Sequence, residues 1–382
     1  MLRRTFLQLP AAALAAASSK RYRAAVIGCT GCGNYGHGLD TVWSAFDNVE
    51  VVAVADSDAD GLAAAKQRLG VKRAYSDYHK MLSDEKPDLV SIGPRWLDRR
   101  VEMVEAAAEA GAHIYLEKAF AKDLSDADRM VAAIRRAGIK VQLAHQMRMS
   151  PYTQRVVRMI KDGEIGVIQE VRGRGKEDSR AGGEDLMVLG SHILDVMRMI
   201  LGNPSWVFSH VTEQGREMNP HKLGAPREPI GPISGREMAA MYAFDGGVHG
   251  YFSSKQNDQT HPWRFGTHVY GSRGVIFLPN AIYPGGLPYI LRSPAWVPDD
   301  KHAWEPIEAQ PEPPFPGAEE RQLANALMVR DLIEAIEQDR KPVCSETDGL
   351  WTVEMIVGLY QSQVKGAPMT FPLKDRAHPL SA

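Results

Sequence analysis

Gly28, Gly31, Gly33, Gly36 and Gly38 fall within one short stretch, and Gly31-Cys32-Gly33-Asn34-Tyr35-Gly36 fits G-x-G-x-x-G. Arg23–Ile27, an apolar run after a basic start, precedes them as a strand, and apolar Val49–Ala55 follows as a second strand closed by Asp56, with Ser57 after it. This is the chemistry a pyrophosphate needs. Residues without Cβ let the backbone turn sharply and phosphate oxygens approach it, and a helix starting there offers unpaired N–H groups. An acid ending the second strand accepts hydrogen bonds from an adenosine ribose and repels the extra phosphate of NADP, so the pattern points to NAD. The cofactor candidates here are Gly28, Gly31, Gly33, Asn34, Tyr35, Gly36, Asp56 and Ser57.

Two more segments leave strands at the same edge: Gly93–Asp98, which carries Pro94, and Glu117-Lys118. Ligands of such sheets sit at the carboxyl ends of the strands. Lys118 follows Ile114-Tyr115-Leu116, which places its ammonium at the nicotinamide end, where a lysine polarises a hydroxyl or carbonyl and shares its proton. No histidine pair has ligand spacing, and no metal is expected. Cys29 and Cys32 form C-x-x-C, a redox or disulfide site in an exported protein, but read better as small residues of a crowded loop, and the chain's three cysteines cannot build a disulfide scaffold.

The elements that position these residues alternate. Helical segments at Leu62–Leu69, Tyr78–Leu82, Arg99–Ala110 and Ala127–Ala137 separate strands at Val71–Tyr75, Asp88–Gly93, His113–Leu116 and Lys140–Ala144. That rhythm is a doubly wound parallel sheet, an N-terminal Rossmann domain over 20–146. From Pro151 it changes. Helices at Tyr152–Lys161 and Leu189–Leu201 accompany strands at Val167–Gly173, Trp206–Thr212, Ala239–Phe244, Val248–Lys255, Gly266–Gly271 and Val275–Leu278. A largely antiparallel open sheet in an α+β domain over 147–382 is expected. Residues 279–316 read as loop, with helices following at Ala318–Gln338 and Glu354–Gln363.

This order resembles the Gfo/Idh/MocA oxidoreductases. VEVVAVADSDAD, AYSDYHKML, AAAEAGAHIYLEKAFAKD, HQMRMSPYTQRVVRMIKDGEIGVIQEV and AGGEDLMVLGSHILD carry the likeness, with GTHVYGSRGVIFL and GLWTVEMIVGLYQS later. The resemblance implies a nicotinamide domain followed by a sheet domain that holds a sugar or cyclitol and often builds oligomers, here a homodimer or tetramer. The family's E-K-P lysine falls on Lys118 and its helix histidine on His192. Ala119 replaces the proline, Asp98 stands where a histidine is common, and Val188 replaces the acid of D-x-x-x-H. Positions 188, 192 and 195 would share a helical stripe, so Asp195 could pair with His192, and Asp98 or Asp185 could supply the missing carboxylate. Arg148, Arg174, Lys176 and Arg180 are candidates to hold sugar hydroxyls, and Trp263 offers an aromatic face to a sugar ring.

Three functions follow. The first is NAD-dependent oxidation of a sugar, glycoside or cyclitol by Lys118 and His192, with Asp195 in support. The second is a redox-neutral lyase, hydrolase or transhydrogenase with tightly held NAD. The third is a non-catalytic sugar or NAD sensor. A net charge of −2 with scattered Lys and Arg excludes nucleic acid as a partner. MLRRTFLQLPAAALAAA, residues 1–17, has the paired arginines and small residues of a twin-arginine export signal, taken as 1–19, and no segment is apolar enough for a permanent membrane anchor. Periplasmic localisation is therefore expected, or cytoplasmic if the signal is inactive.

Overall fold

A computed structural model describes residues 20–256, 264–280, 286–308 and 320–380. The first half is built as the alternation expects. β1 (Tyr22–Ile27), β2 (Val49–Ala55), α1 (Ala59–Leu69), β3 (Arg73–Tyr75), α2 (Tyr78–Glu85), β4 (Leu89–Ile92), α3 (Arg100–Glu109), β5 (His113–Leu116), α4 (Leu124–Ala137) and β6 (Val141–Leu143) follow in turn. The six strands are parallel in the order β3-β2-β1-β4-β5-β6. Their near-continuous apolar runs are buried because helices cover both faces of such a sheet. Local chemistry marks the helix ends. Asp58 and Asp123 cap α1 and α4 by accepting from Gly61 N and Asp126 N, and Gly70 and Gly138 close them at positive φ.

The second half contains α5 (Pro151–Lys161), β7 (Ile168–Arg174), a short turn α6 (Gly183–Asp185), α7 (Ser191–Leu201) and β8 (Trp206–Glu213). Then come β9 (Arg216–Glu217), β10 (Glu237–Ala243), β11 (His249–Lys255), β12 (Gly266–Gly271), β13 (Gly274–Pro279), β14 (Tyr289–Leu291) and β15 (Trp304–Pro306). Helices α8 (Glu320–Glu337) and α9 (Glu346–Lys365) and the short β16 (Met369–Thr370) complete it. The main sheet runs β15-β14-β13-β12-β7-β11-β10-β8-β16 and is antiparallel except where β7 meets β11. The stretch expected as loop thus contributes two edge strands, β14 and β15.

The two halves are locked together by the C-terminal helices. Leu143 N donates to Cys344 O, Tyr115 Oη to Asn325 Oδ1, and Gln142 Nε2 to Asp331 Oδ2, all buried. One face of the large sheet packs on α7 and α9. The other carries a row set by cross-strand register: Phe208, Met241, Tyr251, Arg172, His268 and Phe277. Among the described residues no helix is long and apolar enough to cross a membrane. Residues 1–19 and Trp263 lie outside the described residues.

Candidate functional site

The cofactor end begins where β1 stops at Ile27. The expected α-helix after the glycine turn does not form. Turns run from Thr30 to Thr41, and only a single 3-10 turn follows, Val42–Ala45. Gly31, Gly33, Gly36 and Gly38 hold φ of 82°, 85°, 68° and 87°, and Asn34 holds 53°, and such residues cannot propagate a right-handed helix. The glycine loop is therefore followed by no α-helix terminus at this point. Asn34 braces the loop by accepting from Gly31 N. Cys29 and Cys32 are joined as a disulfide, Cα atoms 5.2 Å apart, where two small packing residues were expected.

Asp56 does end β2, but its carboxylate is already engaged. It accepts from Thr30 N at 3.0 Å, Thr30 Oγ1 at 2.7 Å, Tyr35 Oη at 2.8 Å and Asp58 N at 3.0 Å. Tyr35 lies across Gly28, so a Cβ there would sit 2.0 Å from the ring. Burial and the bond to Asp56 push the Tyr35 phenol far above its usual value, so it stays a donor. Asp56 thus fastens the glycine loop to β2 and reaches solvent only at its edge. That edge, with Gly28, Ser57, Ser76, Tyr78 and Arg99, lines a cleft of about 240 Å³ at the carboxyl ends of β1, β2 and β3. A glycine floor under polar walls at that edge of a parallel sheet fits the adenosine end of a dinucleotide.

A second cleft of about 270 Å³ opens farther along, walled by His37, Arg95, Lys118, Arg180, Glu184, Val188, Arg227 and Glu228. Lys118 leaves β5 with its side chain almost wholly buried, and the Lys118–Ala119 peptide bond is cis. Its Nζ donates to Val188 O at 3.0 Å. Burial lowers the Lys118 pKa, and the Glu117 and Glu228 carboxylates oppose the drop. Glu117 accepts from His37 N and from Lys118 N at 3.1 Å, and it faces His37 Nδ1 at 3.2 Å. Burial works against that carboxylate, but the His37 and Lys118 contacts outweigh it and hold it at about 2. Arg100, buried at the start of α3, donates to the carbonyls of Glu117, Ala119 and Pro94 and so fixes the segment that carries Lys118.

The 218–235 segment, between β9 and β10, closes the cleft from above. Pro229 O accepts from Leu97 N at 2.9 Å, and Glu228 takes both Nε and Nη2 of Arg95, the latter at 2.7 Å. Arg180 lies in the wall as expected and is held bidentately by Asp178. Lys176 faces Asp178 at 3.6 Å and is absent from the lining. Arg174 pairs with Glu177.

His192 stands near the start of α7, which is entered through a π turn at Leu186–Gly190. That turn breaks the α register on which a 188/192/195 stripe depends, and Asp195 does not pair with His192. Instead Asp195, fully buried, takes Arg148 Nε at 2.8 Å and Nη2 at 2.7 Å and faces His145 Nδ1 at 3.3 Å. Arg148 is correspondingly not a cleft residue. It clamps Asp195, Asp348 and the Val343 carbonyl. Asp185 is no substitute for the missing acid either. It is buried, accepting from Lys176 N, Glu177 N and Ser254 Oγ. Asp98 is exposed outside the cleft lining. The side chain that does approach His192 is His145, with ring centroids 5.1 Å apart. It follows β6 on the same strand-end edge that picked out Lys118, so that rule would have reached it. Arg95 falls in the Gly93–Asp98 segment that the same rule marks, whereas Arg227 and Glu228 carry no such signal, because only tertiary contact brings their segment to the cleft.

The family model for the oxidoreductase family with an NAD-binding Rossmann fold, GFO_IDH_MocA, matches residues 22–145, and that for the GFO/IDH/MocA C-terminal domain matches 153–277. The chain belongs to the Gfo/Idh/MocA oxidoreductases. Its relatives include a D-apiose dehydrogenase of Paraburkholderia graminis, 37% identical over 48% of this chain and 51% of the relative. A myo-inositol 2-dehydrogenase of Thermotoga maritima is 24% identical over 66% of this chain and 75% of its own. The chain spans about half the length of several curated relatives it matches. A levoglucosan dehydrogenase solved with NADH and levoglucosan has the same fold, with TM-score 0.73 at 19% identity over 92% of this chain and all of the other. An aldose–aldose oxidoreductase from Caulobacter crescentus superposes with TM-score 0.71 at 18% identity, over 92% of this chain and all of its own. In this chain Ala119 follows the lysine, and the Val188 carbonyl meets Lys118 Nζ.

Proposed function

We propose that this protein is an NAD-linked oxidoreductase acting on a hydroxyl or carbonyl of a neutral polyhydroxylated small molecule, a sugar, glycoside or cyclitol. The observation that carries the reading is Lys118, a buried ammonium at the wall of a cleft whose charges come largely as paired Arg95–Glu228 and Arg180–Asp178. Paired guanidinium and carboxylate groups offer donors and acceptors together without a strong net charge, which suits a polyol. The sugar and cyclitol dehydrogenases among the relatives support the same class. NAD, when bound, supplies the hydride acceptor. Gly28, Gly31, Gly33, Asn34, Tyr35 and Gly36 would hold its phosphates, Asp56 and Ser57 its adenosine end, and Pro94, Glu117 and Lys118 its nicotinamide end. In the oxidative direction Lys118 polarises the substrate oxygen and His192 takes the hydroxyl proton.

The test is purified protein with NAD+ or NADP+ and D-apiose, myo-inositol, levoglucosan and common aldoses, following reduced nicotinamide. Reduction of NAD+ with at least one of them, and weaker use of NADP+, is expected. A glycoside cleaved or sugars interconverted without reduced nicotinamide accumulating would overturn net oxidation. The outward row of the large sheet supports a further proposal, a homodimer or homotetramer joined through that face. The sequence alone supports another, export of the folded chain by Arg3-Arg4 and the residues after them. Replacing both arginines with lysine should retain the protein in the cytoplasm, and a wild-type protein found there would defeat the proposal.

A further inference from the structure

His192 lacks the partner that a histidine acting as a base needs. The residue one turn before it is Val188, and the Val188 carbonyl is taken by Lys118. The Nδ1 of His192 is buried without a hydrogen-bond partner. So is the Nε2 of His145, whose ring lies 5.1 Å from that of His192 and is tilted by 52° to it. Both side chains are more than nine-tenths buried. Two unpartnered ring nitrogens buried side by side are costly unless one ordered water, or a small shift of the two rings, joins them.

The far side of His145 is built to set its tautomer. Its Nδ1 faces Asp195 Oδ1 at 3.3 Å, and Cys344 Sγ lies 3.9 Å away. Asp195 is kept ionised: burial opposes the charge, but Arg148 and His145 hold its carboxyl well below the usual range. Burial pushes the Cys344 thiol far up, so it stays protonated and adds no charge. An ionised carboxylate at Nδ1 places the His145 proton there and leaves Nε2 as an acceptor.

We propose that His145 is the positioning residue of His192, an Asp195–His145–His192 chain standing in for the acid absent at 188. Resting on the reading of His192 as the base, the chain balances as follows. The hydroxyl proton bonds to His192 Nε2. The N–H bond at His192 Nδ1 breaks and a new one forms at His145 Nε2. The positive charge then rests on His145 against Asp195. The groups facing His192 are Lys118 from the β5–α4 segment, His37 from the glycine loop, His145 after β6 and Asp195 from α7 itself. Burial, then His145 and Lys118, keep its ring neutral and able to accept a proton.

The test uses the full chain labelled with 15N-histidine and reads ring tautomers by long-range 1H–15N spectra, without substrate or cofactor. His145 should carry its proton on Nδ1 and His192 on Nδ1, and His145→Phe should shift the His192 ring nitrogens. His145 protonated on Nε2, or His192 signals unmoved in His145→Phe, would overturn the proposal. Kinetics on the substrate identified above add a second reading. His145→Phe should lower kcat about tenfold to a hundredfold with KM little changed and alter the pH profile, and His145→Gln should recover part of it. If His192→Ala abolishes turnover while His145→Phe leaves kcat intact, the chain fails and the base survives. If His192→Ala still turns over, the base reading itself fails, and the tautomers still report on the pair. Should His145→Phe not fold, the wild-type tautomers and His145→Gln decide.

Discussion

Lys118 is placed by three independent grips: β5 ahead of it, the Arg100 guanidinium on the surrounding carbonyls, and its own bond to Val188 O. Replacing it by methionine keeps the volume and removes the ammonium. The expected result is a kcat about 10² to 10⁴ lower with NAD binding scarcely changed, read by turnover and by cofactor titration. Because burial depresses the Lys118 pKa, the alkaline limb of kcat/KM should lie below the ordinary lysine range, where the ammonium is lost. Glu117 gives a stability test. Its folded value of about 2 lies below the unfolded value of about 4.3, so its contribution is complete above the latter and is lost as pH falls through the former. In Glu117→Gln the unfolding free energy should vary less between pH 4.5 and 2, by denaturant titration, than in the wild type. Equal slopes would remove Glu117 from the account.

At the scale of elements, the glycine loop, the π turn and the 218–235 segment decide how the cleft is shaped. Gly190 ends the π turn under Phe252, and a Cβ there would come within 2.8 Å of the ring. Gly190→Ala should cost about 1–3 kcal/mol in chemical unfolding, since its φ of −62° is ordinary and only the contact resists. A rise in KM would accompany it as α7 shifts. The 218–235 segment is tied down by Arg95–Glu228, each partner about a quarter to a third exposed. Glu228→Gln should loosen closure, raising KM for the sugar more than it lowers kcat, with little effect on thermal stability, because a partly exposed pair contributes little to folding. A kcat loss without a KM change would argue that Glu228 acts on the chemistry instead.

Two sheets are joined through α8 and α9, and among the described residues one face of the larger sheet carries a row of partly exposed side chains. Phe208 is 42% exposed at one end of a row that crosses five further strands. Phe208→Glu together with Tyr251→Glu should move the protein toward monomer in sedimentation velocity, and an unchanged wild-type monomer would remove that interface. The alternation of strand and helix was legible in the chain, and so was the strand end from which Lys118 leaves. Short-range periodicity and the rule that sites lie at strand ends need only local information. The chain order also carried the family. What tertiary structure alone decided is which way the polar side chains turn. Asp56 turns most of its carboxylate to Thr30 and Tyr35 and keeps only an edge on the cleft, Arg148 clamps Asp195 instead of a sugar, and His145 takes the place beside His192. The glycine loop forms no helix because successive positive φ values forbid it, and the 218–235 segment reaches Arg95 across more than a hundred residues of chain. Side-chain direction and contacts at that separation depend on the packing of the finished fold, and no local pattern encodes them.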